Sequence, residues 1–582
     1  MKKLLLALLL YSGIASAQHH PNILLIMTDD MGYWDTGISG NPHIDTPSLD
    51  QLARDGVQFT RFHAASVCAP TRAGVMTGRY YLRTGLYNTR FGGDTLGKDE
   101  STIADALRAN GYRTGLFGKW HLGKYSGYQP QQRGFEEFFG HYHGHIERYE
   151  NPDQVVHNGE PVETRGYVSE LFADAAMDFM GASQAAEKPF FCFLSFNAPH
   201  SPWTLDTSHA HQAEGDKLLE KYLERGLPIR EARIYALVER VDQNVGRVSG
   251  FLEESGLAEN TAVFFMSDNG GVSKFWKGGL NGNKASSYEG GTRSPLFAKY
   301  PGRFPAGGVV TAQTSHVDLF MTFVNLAGMK MELDRPMDGK SLLPLLYAGK
   351  GEHHHEYVYH TWDRYFPNPD NRWAISDERW KLLCQVGTGV KGERKNWRLF
   401  DLQNDPGESK NLVGEHPEIV ERLRTEFVRW FDEVTDGVTY APAPIPVGDP
   451  AENPVEIQPS WAKWEGKNIE YVFEGYDWDT IEGWRDAGEK ATWNLDVVKG
   501  GVYEIELEYG CRPADAGGLL TIDVGENQIQ FRPTATPTAN VFKRVKIGEV
   551  ELQAGEQLLT AECHEAAGTE LMRLNKIWLR RR

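Results

Sequence analysis

Three apolar runs that each stop at a polar cluster constrain the fold of this chain more than any other feature. Ile23 to Met27 ends at Thr28-Asp29-Asp30, Phe190 to Phe196 at Asn197-Ala198-Pro199-His200, and Thr261 to Met266 at Ser267-Asp268-Asn269. Runs this apolar suit central strands of a largely parallel sheet covered on both faces, not strands with one wet face. Helical patterns such as Ser101 to Asn110 and Arg233 to Leu252 lie between them. The alternation continues to about residue 345 and predicts an α/β sandwich. Each strand then delivers polar groups at its C-terminal exit, where open α/β sheets place their sites.

From about Glu352 the texture changes to short aromatic strands, Trp373-Ala374-Ile375, Trp380 to Leu383 and Trp397 to Leu402, followed by an amphipathic helix from Pro417 to Val434. A small antiparallel sheet with one helix is expected there. Pro442, Pro444, Pro446, Pro450 and Pro454 predict a stiff linker. Beyond it, Val502 to Tyr509 alternates with period 2, and Leu519 to Val524, Gln528 to Phe531, Phe542 to Ile547 and Ile577 to Leu579 offer further short strands. Regular spacing of this kind predicts a β-sandwich. A chain of 582 residues exceeds what one core holds. The expected division is an α/β domain over 18–350, an α+β subdomain over 351–440, a linker over 441–456 and the sandwich over 457–582.

Met1-Lys2-Lys3, the apolar run Leu4 to Leu10 and Ala15-Ser16-Ala17 follow the pattern of a cleaved secretory signal over 1–17. That run is too short to span a bilayer, which needs about 20 residues, so a secreted or periplasmic protein without stable membrane insertion is expected. A net charge of −18 disfavours nucleic acid and anionic membranes as partners. Any anionic substrate must therefore meet a local cationic site. Five cysteines, Cys68, Cys192, Cys384, Cys511 and Cys563, are too few and too scattered for a disulfide scaffold.

Ser66-Val67-Cys68-Ala69-Pro70-Thr71-Arg72 places a cysteine just ahead of a proline suited to a first helical turn, with an arginine one turn on. A helix N-terminus and a guanidinium then converge on position 68. By itself such a cysteine is more often a small buried hydrophobe. The segment resembles the C-x-P-x-R core of the formylglycine sulfatases, continued by Ala73 to Arg79. The same family's other blocks follow in order: Asp29-Asp30-Met31-Gly32, Gly118-Lys119-Trp120-His121-Leu122-Gly123, Ala198-Pro199-His200, Ser267 to Gly271, and Lys284 ahead of Tyr288-Glu289-Gly290-Gly291. The resemblance covers about residues 20 to 430 and leaves out the linker and the sandwich.

It implies an alkaline-phosphatase-like mixed sheet between helices, and a Cys68 oxidised to formylglycine by a maturation enzyme. It also implies a metal ion, Ca²⁺ ahead of Mg²⁺, held by Asp29, Asp30, residue 68, Asp268 and Asn269, all but residue 68 hard oxygen donors. Alone, Asp29-Asp30 equally suits helix capping and Asp268-Asn269-Gly270 an ordinary turn. By resemblance, one hydroxyl of the hydrated residue 68 attacks sulfur and the second expels sulfate from the sulfated enzyme. Arg72 would hold the hydrate, Lys119 and Lys284 the sulfate oxygens, and His121 and His200 the protons.

The implied substrate is a sulfated carbohydrate, favoured by the appended sandwich, or a small sulfate ester. A phosphate or phosphonate ester hydrolase of the same wider superfamily is the rival. A glycan-binding role for 457–582 is a further reading, with Trp478, Trp484 and Trp493 available to stack on sugars and Trp493 assigned instead to the core. His143 and Arg148, outside the motif blocks, are candidate substrate-selecting groups. His145 is expected to be a solvated loop residue.

Overall fold

The computed structural model describes residues 20–582 except 91, 204–211, 331–334, 364–365, 386–396 and 473–478, and the side chains of 212–216 are also outside it. The expected signal segment 1–17 and Trp478 therefore lie outside the described residues. The α/β domain is built on β1 (Asn22–Asp29), β2 (Arg113–Lys119), β3 (Glu137–His141), β4 (Phe190–Pro199), β5 (Thr261–Ser267) and β6 (Leu296–Lys299). They form the middle of an eleven-stranded mixed sheet in the order β6-β5-β1-β4-β2-β3. All neighbours in this series pair in parallel except β6, which runs antiparallel to β5.

Every residue of β1, β4 and β5 is buried. The reason is visible in β1, whose side chains alternate between two cores. Ile23, Leu25 and Met27 join the core that contains α1 (Cys68–Thr77), whereas Leu24 and Ile26 join the core that contains α2 (Val168–Ala185) and α3 (Ile229–Glu254). Helices on both faces thus explain the uninterrupted apolar runs, as expected for this α/β class.

The subdomain is a four-stranded antiparallel sheet of Val358–Thr361, Trp373–Ser376, Trp380–Cys384 and Trp397–Asp401. Helix Pro417–Thr435 covers it, with Phe427 stacked on Trp373 and Trp430 on Tyr359, ring centroids 4.5 Å apart in each pair. Buried Lys381 reaches from this sheet to Glu289 at 2.8 Å and Glu408 at 3.2 Å. Glu289 also meets His63 at 3.3 Å, so a buried charge network ties the subdomain to the α/β domain.

The C-terminal region is a sandwich of two six-stranded sheets. The stretch 441–456 is not an extended spacer throughout, in contrast to the sequence expectation. Ile445–Val447 pairs in parallel with Lys490–Val497, and Val455–Ile457 pairs antiparallel with Arg573–Arg581. Proline tolerates such edge positions because the missing N–H need not serve the ladder. Trp484 and Trp493 are both core residues with their indole N–H groups on backbone carbonyls of Ile481 and Gln458. Of the two readings open for Trp484, sugar stacking or core, burial selects the core.

The sandwich also borrows part of its core from the α/β domain. Tyr125 and Tyr128 pack into it, Tyr125 edge-on to Trp461 at 5.1 Å. Lys124 pairs with Glu456 at 3.3 Å, and the Ser126 backbone N–H donates to Glu452 at 2.9 Å. All five cysteines are buried and unpaired. Among the described residues no helix is long and apolar enough to cross a membrane.

Removal of the sandwich strips apolar cover from Tyr125 and Tyr128, so a chain ending at Ala443 is expected to melt at least about 5 °C below the full-length protein. Differential scanning calorimetry checks this. A truncated protein that keeps its melting temperature would show two units folding independently.

Candidate active site

The exits of β1, β2, β4 and β5 and the N-terminus of α1 meet at one point. Cys68 is the first residue of α1, every residue of which is buried, and left-handed Gly78 at φ 70° ends the helix. Arg72, one turn in, is 1% exposed. Its Nε and one terminal nitrogen donate to Asp268 at 3.0 and 2.8 Å. The other terminal nitrogen donates to the Lys119 carbonyl at 2.9 Å and to Ser195 Oγ at 2.7 Å. Most of the guanidinium is therefore committed to the strand ends themselves rather than facing the pocket.

Lys119, at the end of β2, places its ammonium 2.5 Å from Asp29 at the end of β1. Lys284 forms an ion pair with Asp30. Asn269 donates its amide to Asp30 at 2.8 Å and to the Gly270 carbonyl at 2.9 Å. This orientation leaves Asn269 Oδ1 buried and without a donor, and Asp29 Oδ1 is in the same state. Ligand atoms of Asp29, Cys68 and Asp268 lie within 4.8 Å of one another, as do those of Asp29, Asp30 and His200. Orphaned, buried oxygen donors beside three carboxylates fit a hard divalent ion.

Burial pushes the Asp29 carboxyl upward, but the Lys119 ammonium, with His200, Lys284 and Arg72, outweighs it and holds the group well below the usual carboxylate range. Asp268 moves the other way because burial and the Asp29 charge exceed the help from Arg72. Burial disfavours the Lys284 ammonium, yet Asp30 and its neighbours more than restore it. Burial raises the Cys68 thiol against the pull of Lys119 and Lys284. Thiolate nucleophiles show the opposite shift, so the unmodified cysteine is poorly prepared for attack.

Burial lowers both His121 and His200, with Asp29 and then Asp30 acting against it at His200. His121 sets Nε2 against the Thr89 carbonyl at 3.1 Å, which assigns the proton to Nε2 and leaves Nδ1 as a buried lone pair without a partner. His200 sets Nδ1 on the Ser201 carbonyl at 2.7 Å, and its Nε2 lies 3.8 Å from Asp30. Asp30, His121 and Ala285 adopt left-handed φ values of 75°, 61° and 65°. Strain of this kind persists only where the surroundings enforce it, and three of the eight such non-glycine residues among the described ones lie at this pocket.

The residues singled out in the motif blocks, Cys68, Arg72, Lys119, His121, His200, Lys284, Asp29, Asp30, Asp268 and Asn269, all come together. Val67, Cys68, His121, His200 and Lys284 line a pocket of about 250 Å³ with Asn88, Thr89, Arg90 and Trp362. These last four carry no sequence signal, since irregular segments place them there. Ser195 was also missed, although a lone polar residue near the end of an apolar strand marks it. His145 stays in a loop, but it is half-buried rather than solvated. Its ring stands edge-on to His200 at 5.7 Å, and burial, then repulsion from His200 when that ring is protonated, pull it down to about 4. Arg148 is exposed and paired with Asp153 at 2.6 Å. His143 is half-buried two residues beyond His141, which hydrogen-bonds Asn197 at 2.9 Å.

Comparison with known proteins agrees with this geometry. A sulfatase family model matches residues 21–329, and a model of the C-terminal region of N-sulphoglucosamine sulphohydrolase matches residues 282–432. The pig (Sus scrofa) N-acetylgalactosamine-6-sulfatase is 35% identical over 373 residues, 58% of this chain and 68% of that protein. Human arylsulfatase A is 30% identical over 510 residues, 77% of this chain and 94% of the relative. Among solved structures, Ps i-CgsB in complex with k-i-k-neocarrahexaose aligns with a TM-score of 0.63 and 28% identity, covering 72% of this chain and 95% of its own. With the family model spanning more than half of its residues around this pocket, the chain belongs to the sulfatases, enzymes that hydrolyse sulfate esters.

Proposed function

We propose that this pocket removes sulfate from a sulfated glycan through a formylglycine at residue 68 and a Ca²⁺ ion held by Asp29, Asp30, residue 68, Asp268 and Asn269. The observation that carries the reading is the convergence of Cys68, at a helix N-terminus, with three carboxylates and three cationic side chains. That set is close to neutral, so a divalent ion added to it leaves surplus positive charge for an anionic ester inside an acidic protein. The hydrated aldehyde supplies two hydroxyls, one to attack sulfur and one to release sulfate, and the Ca²⁺ supplies positive charge beside it.

The chain's own groups divide the remaining work. Arg72 is a positioning residue that fixes Asp268 and the ends of β2 and β4. Lys119 and Lys284 neutralise the sulfate oxygens. His200 donates its Nδ1–H to the Ser201 carbonyl, so it protonates the leaving alcohol from Nε2 as the imidazolium, the form that Asp29 and Asp30 favour against burial. His121, with Nε2 tied to Thr89, offers Nδ1 to take a proton from residue 68. A maturation enzyme must act on Cys68, and export through the 1–17 segment gives a secreted or periplasmic product. The glycan preference draws on the relatives named N-acetylgalactosamine-6-sulfatase and on the neocarrahexaose-bound neighbour. The phosphate or phosphonate reading is not favoured.

Cys68→Ala is expected to fold and to lose turnover, and Cys68→Ser to stop after one sulfation for want of a second hydroxyl. Peptide mass spectrometry should find residue 68 of the active protein as the aldehyde. Multiple turnover by either variant contradicts the mechanism. Chelation is expected to abolish hydrolysis and Ca²⁺ to restore it, with Asp30→Ala inactive at any Ca²⁺ concentration. Full activity in protein shown metal-free by elemental analysis contradicts the metal assignment.

Arg72→Met leaves Asp268 as a buried charge without its partner, and loss of one member of such a pair costs about 3–5 kcal/mol. A clear fall in melting temperature of the metal-stripped protein is expected. The exposed pair behaves differently, and Arg148→Ala should change stability by less than about 1 kcal/mol. Equal melting temperatures for the two variants would contradict a structural role for Arg72.

A further inference from the structure

The wall of the sulfate pocket continues beyond the groups that meet sulfate. Asn88 is shared with a second, apolar recess of about 250 Å³ lined by Tyr87, Phe366, Pro442, Ala462, Lys463 and Trp464. Tyr87 and Phe366 stack with centroids 5.2 Å apart and planes 17° apart, and Phe366 is 51% exposed. Trp464 stacks on Tyr471 at 5.9 Å. Ala462, Lys463 and Trp464 belong to the sandwich, where Lys463–Glu465 pairs with Lys490–Val497, and Pro442 belongs to the segment leading into it. The recess therefore exists only where the two domains meet.

The seam is tight at this point. A Cβ on Gly92, which has φ 68°, would come within 2.8 Å of Trp461 and 2.9 Å of Pro442. The Tyr87 and Asn88 N–H groups both donate to the Gly93 carbonyl at 2.9 Å. The loop that supplies Asn88, Thr89 and Arg90 to the sulfate pocket is thus seated on the sandwich. Tyr87 is buried behind Phe366, but exposed Phe366 and half-buried Trp464 beside an anion pocket match a pyranose, whose C–H face packs on the rings while its hydroxyls stay wet. Lys463 is exposed and forms no ion pair among the described residues, so it is available to an anionic substituent.

We propose that this recess is a substrate subsite. The sugar next to the sulfated residue lies on Phe366, which Tyr87 backs, and on Trp464, and Lys463 meets a sulfate or carboxylate on it. The sandwich then selects the substrate within the cleft itself, rather than anchoring the enzyme to glycan at a distance. This rests on the sulfated-glycan reading above.

Full-length matured enzyme is assayed on 4-nitrophenyl sulfate and on sulfated oligosaccharides of the chondroitin and carrageenan types. Trp464→Ala and Phe366→Ala are each expected to raise KM for the oligosaccharide by about tenfold. Hydrolysis of 4-nitrophenyl sulfate should stay within about twofold of wild type. Trp464→Phe should recover most of the loss, and Lys463→Ala should weaken action on a substrate with a second anionic group only. Unchanged oligosaccharide KM overturns the proposal. Equal losses on both substrates also overturn it and assign the seam to support of the Asn88 loop. A wild type that hydrolyses the aryl ester and none of the oligosaccharides removes the glycan reading, while inactivity on every sulfate ester removes the sulfatase assignment of the pocket.

Discussion

The ion pair between Arg72 and Asp268 sits where helix, sheet and pocket meet, and the arrangement of the other groups depends on it. Removing a guanidinium and a carboxylate from water carries a large desolvation penalty that their attraction alone rarely repays. Here the remaining Arg72 donors are taken up by the Lys119 carbonyl and Ser195, so little of the buried charge is left unsatisfied. Those same bonds fix the ends of β2, β4 and β5 relative to α1. The first turn of the helix, with Cys68 at its start, is thereby held against the exits of the strands that carry the aspartates.

Around this anchor the charges are balanced but crowded. Asp29 and Asp268 respond in opposite directions to a shared site, which is the behaviour of like charges in a low-dielectric pocket that each need a counterion. Lys119 and Lys284 meet part of that need, and unpartnered oxygens of Asp29 and Asn269 show how much is left for a hard cation. Backbone strain at Asp30, His121 and Ala285 belongs to the same design. Three left-handed non-glycine residues around one pocket are kept there by the packing beneath them, which orients side chains that relaxed strand ends would release.

The C-terminal sandwich enters this picture through the loop containing Asn88, Thr89 and Arg90. That loop lines the Cys68 pocket on one side and rests on Trp461 and Pro442 on the other. Thr89 also orients His121. Packing at the domain seam is consequently only a few residues from His121 and the pocket it lines.

Local sequence determined the α/β class, the motif residues of the site and the alternating strands of the sandwich, because each rests on short-range signals. Apolar runs such as Ile23 to Met27 mark strands buried on both faces, and Cys68-Ala69-Pro70-Thr71-Arg72 marks a helix start with its chemistry at fixed spacing. What the tertiary structure alone decided concerns residues whose role depends on what packs against them from far along the chain. Trp484 reads equally as sugar-stacking or core until the sandwich closes over it, and His145 as a solvated residue until His200 is set beside it. The prolines of 441–456 suggested a free spacer, but Ile445–Val447 and Val455–Ile457 find partners some 50 and 120 residues away. Arg72 is the plainest case. Its spacing from Cys68 is local, whereas its commitment to Asp268 and Ser195, 196 and 123 residues away, follows only from the parallel sheet that brings those strand ends under one helix.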